Sequence, residues 1–343
     1  MSRLLNFSNR HIKNEVLNVQ KNDTIVLENR MSRNRWSLYF RKNDINEKTL
    51  AVNYVTIEEY LTLKKTFSSI VANPPYEGKK QTHQKFFNKA YEMLEEKGTM
   101  TFIQPATPYM NKKAPRSHEN RMREIIMNNE VSVTFHTNKI FDVADVDGVL
   151  AETVLVKQKN NESAIKSVRY TNGSLYENCS LTDINMLEID PNVYKSTRLK
   201  YLNYIEKHGS LYNKQYYNLG NPKPNVIKLQ KIRGHLDNPD FFTFLSNNSD
   251  LLSSDISESN DFGIELKSND EMNNCYLYLK GYISRFGLAL SKFNTNNHMG
   301  EFKTVPLIDF SVTYDEDVIR KEIGITDDEY NLIKNILGNY HNV

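Results

Sequence analysis

Four consecutive residues, Asn73-Pro74-Pro75-Tyr76, combine the side-chain types that can hold a flat heterocycle carrying an amino group. They close an apolar run, Ile70-Val71-Ala72, with the length and composition of a short buried strand. The two prolines lock φ and supply no amide hydrogens, so the turn is stiff and its carbonyls are left bare. A carboxamide beside bare carbonyls accepts both hydrogens of an amino group, and a phenol ring stacks on the heterocycle. In open α/β sheets, ligands bind at the carboxyl ends of the strands, where this turn would stand. A Pro-rich turn without a ligand needs no other residues, so the surrounding elements decide between the two.

Those elements alternate. Upstream, the scattered apolar positions of residues 1–22 (Leu4, Leu5, Ile12, Val16, Leu17, Val19) predict a short helix. Thr24 to Leu27, Trp36 to Phe40 and Val52 to Ile57 predict strands, the last followed by a short helix or turn through Glu58, Glu59 and Leu63. Downstream, Phe86, Phe87, Ala90, Tyr91 and Leu94 have the spacing of an amphipathic helix, with Gly98 as its left-handed stop. Thr99 to Gln104 predicts a strand, Arg116 to Asn128 a helix, and Val131 to Phe135 and Val149 to Val156 two further strands. This order predicts an α/β fold with a doubly wound sheet and a hairpin at its far edge.

The alternation stops near Lys157. Beyond it lie two aromatic-basic clusters. The first holds Tyr194, Lys195, Arg198, Lys200, Tyr201 and Tyr204; the second spans Tyr212 to Arg233 and includes Lys223, Lys228 and Lys231. Asn269 to Phe293 predicts one long helix, and Tyr314 to Leu337 one or two small ones with an N-cap at Thr326. The expected division is therefore a catalytic domain over 1–157, a mixed α+β domain over 158–305 and a helical segment over 306–343.

With 343 residues, 39% hydrophobic and 25% charged, the chain is globular and long enough for two cores. A formal charge of +2 leaves nucleic acid open but requires any basic surface to be local. Cys179 and Cys275 offer neither a disulfide framework nor metal-ligand spacing, so no metal is expected. No run approaches ~18 apolar residues, and a cytoplasmic protein that makes no use of a membrane is expected.

Taken together, these features resemble the adenine-N6 DNA methyltransferases that carry an Asn-Pro-Pro-Tyr motif and place their recognition domain after the catalytic one. The resemblance extends over most of residues 50–343. It includes Phe86-Phe87-Asn88-Lys89-Ala90 after the motif, Gly98 to Pro105, and Ile140-Phe141-Asp142-Val143 followed by Val149 to Val156. It continues through Val305-Pro306, Asp309-Phe310-Ser311 and the acidic C-terminal helix.

The resemblance implies a Rossmann-like methyltransferase sheet followed by a DNA-recognition domain, acting in a bacterial cell or a phage-infected host as part of restriction-modification or phage self-protection. Asn73 and Pro74 would accept hydrogen bonds from the adenine amino group, Pro75 would stiffen the turn, and Tyr76 and Phe141 would contact a flipped-out base. S-adenosylmethionine would be the donor, held by Phe86, Glu59 or Glu58, and by Glu28 on its ribose. Lys195, Arg198, Lys200, Lys223, Lys228, Lys231 and Arg233 would bind double-stranded DNA.

One family feature is missing. Such enzymes cradle the donor with a Gly-rich loop after the first strand, and this sequence has no glycine before Gly78. The chain is then a shortened methyltransferase, one completed by a second subunit that supplies the donor loop, a non-catalytic DNA-binding subunit, or one with a divergent loop built on Asn29, Ser32 and Asn34. Methyltransferases of RNA bases or of a glutamine side chain share the tetrapeptide, but the long region after the sheet disfavours them.

Overall fold

The computed structural model describes residues 3–7, 20, 23–27, 30–43, 52–74, 82–109, 117–136, 149–159, 165–185, 187–213, 216–218, 226–229, 262–291 and 299–338. The chain forms two compact units, Met1–Ile184 and Asn185–Val343.

The first unit is built on a nine-stranded sheet in the order β3-β2-β1-β4-β5-β7-β6-β8-β9. Its strands are β1 (Arg3–Phe7), β2 (Thr24–Leu27), β3 (Asn53–Thr56), β4 (Phe67–Asn73), β5 (Leu94–Pro105), β6 (Asn129–His136), β7 (Leu150–Lys159), β8 (Ile165–Arg169) and β9 (Leu175–Cys179). β3, β2, β1, β4 and β5 run parallel, whereas β7 is antiparallel to both β5 and β6. The interleaved helices are α1 (Arg30–Lys42), α2 (Ile57–Thr62), α3 (Thr82–Met93) and α4 (Ser117–Asn128). The doubly wound α/β sheet expected from the alternation is present, but the antiparallel pair β6–β7 lies inside it rather than at its far edge, which β8 and β9 form.

Two elements differ from expectation at the start of the chain. Leu4 and Leu5 lie on a central strand rather than a helix, and both are buried. Adjacent residues are both apolar here because the strand is covered on both faces, a pattern that a search for amphipathic spacing passes over. Trp36 to Phe40 is helix, not strand. Trp36, Tyr39 and Phe40 fall at i, i+3 and i+4 and pack with Leu5 and Ile25, while Leu38 points outward at 57% exposure. Arg41 and Lys42 in the last turn complement the helix dipole.

The stop of α3 also differs. Lys97, not Gly98, takes the left-handed conformation, with φ 61°. Gly98 is required for close approach instead: a Cβ there would stand 2.8 Å from the Glu95 carbonyl. The pairing of β4 with β5 jumps here from Phe67–Leu94 to Ser69–Thr99.

The sheet continues past the expected boundary at 157. Lys157 lies on β7 and donates to the carbonyls of Leu94 (2.7 Å) and Tyr91 (3.4 Å), tying that strand to the end of α3. β8 and β9 then extend the same sheet, so the first unit ends at Ile184.

The second unit is α+β. Around one core it packs α5 (Pro191–His208), α6 (Asn269–Lys280), α7 (Tyr282–Ala289), α8 (Glu316–Ile323) and α9 (Asp327–Leu337). An antiparallel sheet of β10 (Tyr216–Asn218), β12 (Phe262–Glu265) and β11 (Val226–Leu229) accompanies them. Ile323, Ile333 and Leu337 share this core with Tyr201 and Phe286, so the segment after 305 is part of the same unit.

The long helix expected over 269–293 is two helices. Gly281 between them is extended (φ −66°, ψ 158°), and a Cβ there would meet the Tyr314 hydroxyl at 2.3 Å. Thr326 and Glu329 form a reciprocal capping box at the start of α9, as the N-cap pattern predicts.

Candidate active site

The parallel strands end flush. Phe7 pairs with Asn73 across β1 and β4, and Leu27 pairs with Thr56 across β2 and β3. The chain winds from β1 outward to β2 and β3, then returns to the other side of β1 as β4. The winding direction therefore reverses between β1 and β4. Helices leave on opposite sides of such a reversal and open a crevice at the carboxyl edge. Asn73, fully buried, and Pro74, also buried, stand at the carboxyl end of β4, beside that reversal. Local sequence explains the position: Ile70 and Ala72 anchor the strand in the core, and Pro74 ends it.

Three of the expected donor-side residues, Glu58, Glu59 and Phe86, are described. Glu58 and Glu59 open α2 directly after the end of β3. The Glu59 carboxylate is engaged locally: it accepts from the Thr56 amide at 2.6 Å, while the Thr56 hydroxyl accepts from the Glu59 amide at 3.2 Å. Glu58 is exposed, and no bond to its carboxylate is seen among the described residues. Phe86 is buried in α3 and stacks on Tyr60, with ring centroids 5.1 Å apart. The Tyr60 hydroxyl donates to the Phe86 carbonyl at 2.9 Å, and burial raises its pKa well above the ordinary phenol value. Glu28, Pro75, Tyr76 and Phe141 lie outside the described residues. The strands on either side of Phe141, β6 and β7, both have their near ends, His136 and Leu150, at the carboxyl edge of β5.

Sequence reasoning missed a buried polar group on the α3-covered face of this edge. Gln104 on β5 is fully buried, and its Nε2 donates to the Thr153 hydroxyl at 3.3 Å. The same hydroxyl is 2.6 Å from that of Tyr109. The available signal was one carboxamide in the otherwise apolar run Thr101-Phe102-Ile103-Gln104, directly before Pro105.

In the second unit, the tyrosines of the first aromatic-basic cluster are core residues. Tyr194, Tyr201 and Tyr204 share the buried face of α5. The hydroxyls of Tyr194 and Tyr201 donate to the carbonyls of Leu290 (3.1 Å) and Ile283 (3.0 Å). Lys200 donates to both carboxylate oxygens of Glu329, at 2.7 and 2.6 Å. Lys195 is exposed and Arg198 half-buried on α5. Lys228 lies on β11, and Lys223, Lys231 and Arg233 are outside the described residues.

Among the described residues, no group of three or more His, Cys, Asp or Glu side chains could hold a metal. No described helix is long and apolar enough to cross a membrane.

Residues 16–139 match the model of the methyltransferase small domain family. No curated protein matches the chain in sequence. Among solved structures, a methyltransferase from Pyrococcus furiosus is 17% identical with a TM-score of 0.27, over 40% of this chain and 62% of its own. The methyltransferase subunit of a type I restriction-modification system from Streptococcus thermophilus is 12% identical with a TM-score of 0.38, over 56% of this chain and 48% of its own. A 16S rRNA N2 G1207 methyltransferase from T. thermophilus, in complex with AdoMet and guanosine, is 15% identical with a TM-score of 0.30, over 46% and 37%. The chain thus spans less than two thirds of each of these proteins. Methyltransferase is the class of catalyst that the family match supports.

Proposed function

We propose that the chain belongs to a methyltransferase that transfers a methyl group from S-adenosylmethionine to N6 of an adenine flipped out of double-stranded DNA. The observation that carries this reading is the position of Asn73 and Pro74 at the winding reversal, level with the end of β1. The Asn73 carboxamide and the Pro74 carbonyl accept the two amino hydrogens. This holds the nitrogen lone pair toward the incoming methyl group as the nitrogen rehybridises, an effect of positioning and fixed dipoles. Tyr76 and Phe141 stack on the extruded base and offset its unstacking cost of roughly a few kcal/mol.

The donor supplies an electrophilic methyl group, and the residues present fit it in part. Acids follow the ends of β2 and β3, as ribose and adenine recognition requires, and Glu58 rather than Glu59 has its carboxylate available. No glycine serves the stretch after β1, so a second subunit that completes the donor loop remains part of the proposal. Lys195 and Arg198 on α5, with Lys223, Lys228, Lys231 and Arg233, are the proposed phosphate contacts.

The test is tritium transfer from labelled S-adenosylmethionine to DNA prepared without adenine methylation, followed by identification of the modified nucleoside. Asn73→Ala is expected to lower kcat by about 10²–10³-fold, the cost of deleting one preorganised hydrogen-bonding group at the reacting centre, with DNA affinity little changed. Equal activity in the variant would remove Asn73 from the mechanism. A wild-type chain that binds DNA yet transfers nothing, alone or with a partner, would favour the non-catalytic subunit.

A further inference from the structure

Gln104 is placed as a group with unfinished hydrogen bonding. Its side chain has 0% exposure, yet its Oε1 has no hydrogen-bond partner among the described residues. Exchanging amide oxygen and nitrogen, which are interchangeable in assignment, does not resolve this. Among the described residues, Thr153 is the one side chain bonded to the amide, through a hydroxyl shared with Tyr109. That hydroxyl satisfies one end of the amide, whichever end it is. The other end stays bare, a state that buried polar groups rarely occupy without a reason.

The position gives the reason. Ala72 pairs with Phe102, so Gln104 stands two residues further along β5, level with Pro74 on the adjacent strand. Neighbouring strands are ~4.8 Å apart. A second buried carboxamide stands on the helix that covers this face. Gln84, in the first turn of α3, is 1% exposed, and its Oε1 also lacks a partner among the described residues. Phe87 of α3 packs edge-on against Phe102 of β5, at 5.1 Å. One turn back along the helix and two residues on along the strand from that contact lead to Gln84 and Gln104. Half-satisfied Gln104 and Gln84, whose Oε1 is bare, thus belong to the α3-covered side of the edge where Pro74 stands, while the Asn73 side chain, one residue out of phase with Ala72, belongs to the other face of the same edge.

We infer that Gln104 is a base-reading residue: its free amide end donates a hydrogen bond to a ring nitrogen of the target adenine, beside the amino group held by Asn73 and Pro74. This rests on the adenine reading above. With Oε1 turned to accept from Thr153, Nε2–H faces the ring. The ring nitrogens that flank the adenine amino group, N1 and N7, are both acceptors. A donor to N1 also separates the purines, because guanine carries a hydrogen there, whereas a donor to N7 does not, because N7 is an acceptor in both.

The experiment uses the full chain, with any partner subunit the activity requires, and a synthetic duplex containing the mapped methylation site. Gln104→Leu is expected to lower kcat/KM for DNA by tenfold or more while the melting temperature stays or rises. Removing the Gln104 amide orphans no buried group, because the Thr153 hydroxyl keeps its bond to that of Tyr109, so the substitution is close to neutral for folding. Gln104→Met, which keeps the unbranched stem, should behave alike and serves if the leucine variant folds poorly. The second arm replaces the target adenine by 1-deazaadenine or 7-deazaadenine. One of the two is expected to cost the wild type about as much as Gln104→Leu does, and to cost the variant nothing further. Unchanged kcat/KM in both variants, a parallel fall of activity and melting temperature, or additive losses with both analogues would each overturn the inference. A wild type that methylates no adenine refutes the reading beneath it; a wild type that does, with variants unaffected, refutes this inference alone.

Discussion

Lys200 separates the roles available to a basic residue on α5. Its ammonium makes two bonds to Glu329, which also accepts from the Thr326 amide at 2.8 Å in the capping box of α9. One carboxylate thus ties α5 to the start of α9. The pair is more than half buried, with side-chain exposures of 29% and 14%, so it is screened less than a surface pair. Charge-assisted hydrogen bonds contribute about 1.5–3 kcal/mol, and partial exposure lowers this to roughly 1–2 kcal/mol for the pair. Lys200→Met keeps the packed stem and removes the charge. For a unit of this size each kcal/mol is worth about 2–4 °C, so the melting temperature should fall by about 2–8 °C.

The pH dependence follows. Burial works to raise the Glu329 pKa, but the bonds from Lys200 and Thr326 outweigh it and hold the net value below the ordinary glutamate range. A carboxyl depressed by folding stabilises the protein above its unfolded pKa, and that contribution is lost as pH falls through the folded value. The gap between wild type and Lys200→Met should therefore be full near neutrality and close as Glu329 protonates in acid. Thermal unfolding from neutral pH into the acid range measures it. The DNA-binding slope against salt should not change. A slope reduced by about 0.9 at unchanged stability would show Lys200 neutralising a phosphate and refute the clasp.

The outward side of α5 gives the complementary expectation: Lys195→Met with Arg198→Met should reduce that salt slope by about 1.8 if both residues meet phosphates, and an unaltered slope would take α5 out of the DNA-binding surface. At the donor side, Glu58→Gln should weaken S-adenosylmethionine binding in calorimetry by about tenfold, as a charged hydrogen bond is lost. Glu59→Ala should instead lower stability by about 1 kcal/mol through the lost capping box, with donor affinity close to wild type; the reverse pattern would return the donor contact to Glu59. Gly281→Ala should cost about 1–3 kcal/mol, because the new methyl group must displace Tyr314 or Glu316 from the bend between α6 and α7. A melting temperature equal to wild type would show that bend to be loosely packed.

Much of the sheet was legible because strand and helix periods alternate cleanly over residues 70–156. What was missed has identifiable causes. Trp36 to Phe40 is rich in strand formers, and only its i, i+3, i+4 contacts with Leu5 and Ile25 reveal a helix. Leu4 and Leu5 form a strand too short to show a period and buried on both faces. Lys97 in a left-handed turn defies residue preference, since the backbone approach required at Gly98 claims the glycine. The tyrosines of α5 sit between basic residues in sequence but at helical spacing, and that spacing places them in the core. At the candidate site, the tetrapeptide announced itself by composition. The Gln104–Thr153–Tyr109 group did not, because its members come together only when β5, β7 and the turn after Pro105 are assembled.

The central place of β1 in the sheet sets an order of assembly during synthesis. Leu4 can pair with Thr24 of β2 early, but its other neighbour, Ile70 of β4, follows 66 residues later. At roughly 5–20 residues per second, the ribosome needs about 3–13 s to cover that distance. In that interval the nascent β2-β1 pair, joined by β3 only toward its end, has an open edge carrying Leu4 and Leu5, on which other nascent chains can pair. The edge closes when β4 docks. Asn73 is the last residue of that strand, so completing the middle of the sheet and installing the proposed amino-group acceptor are one folding event.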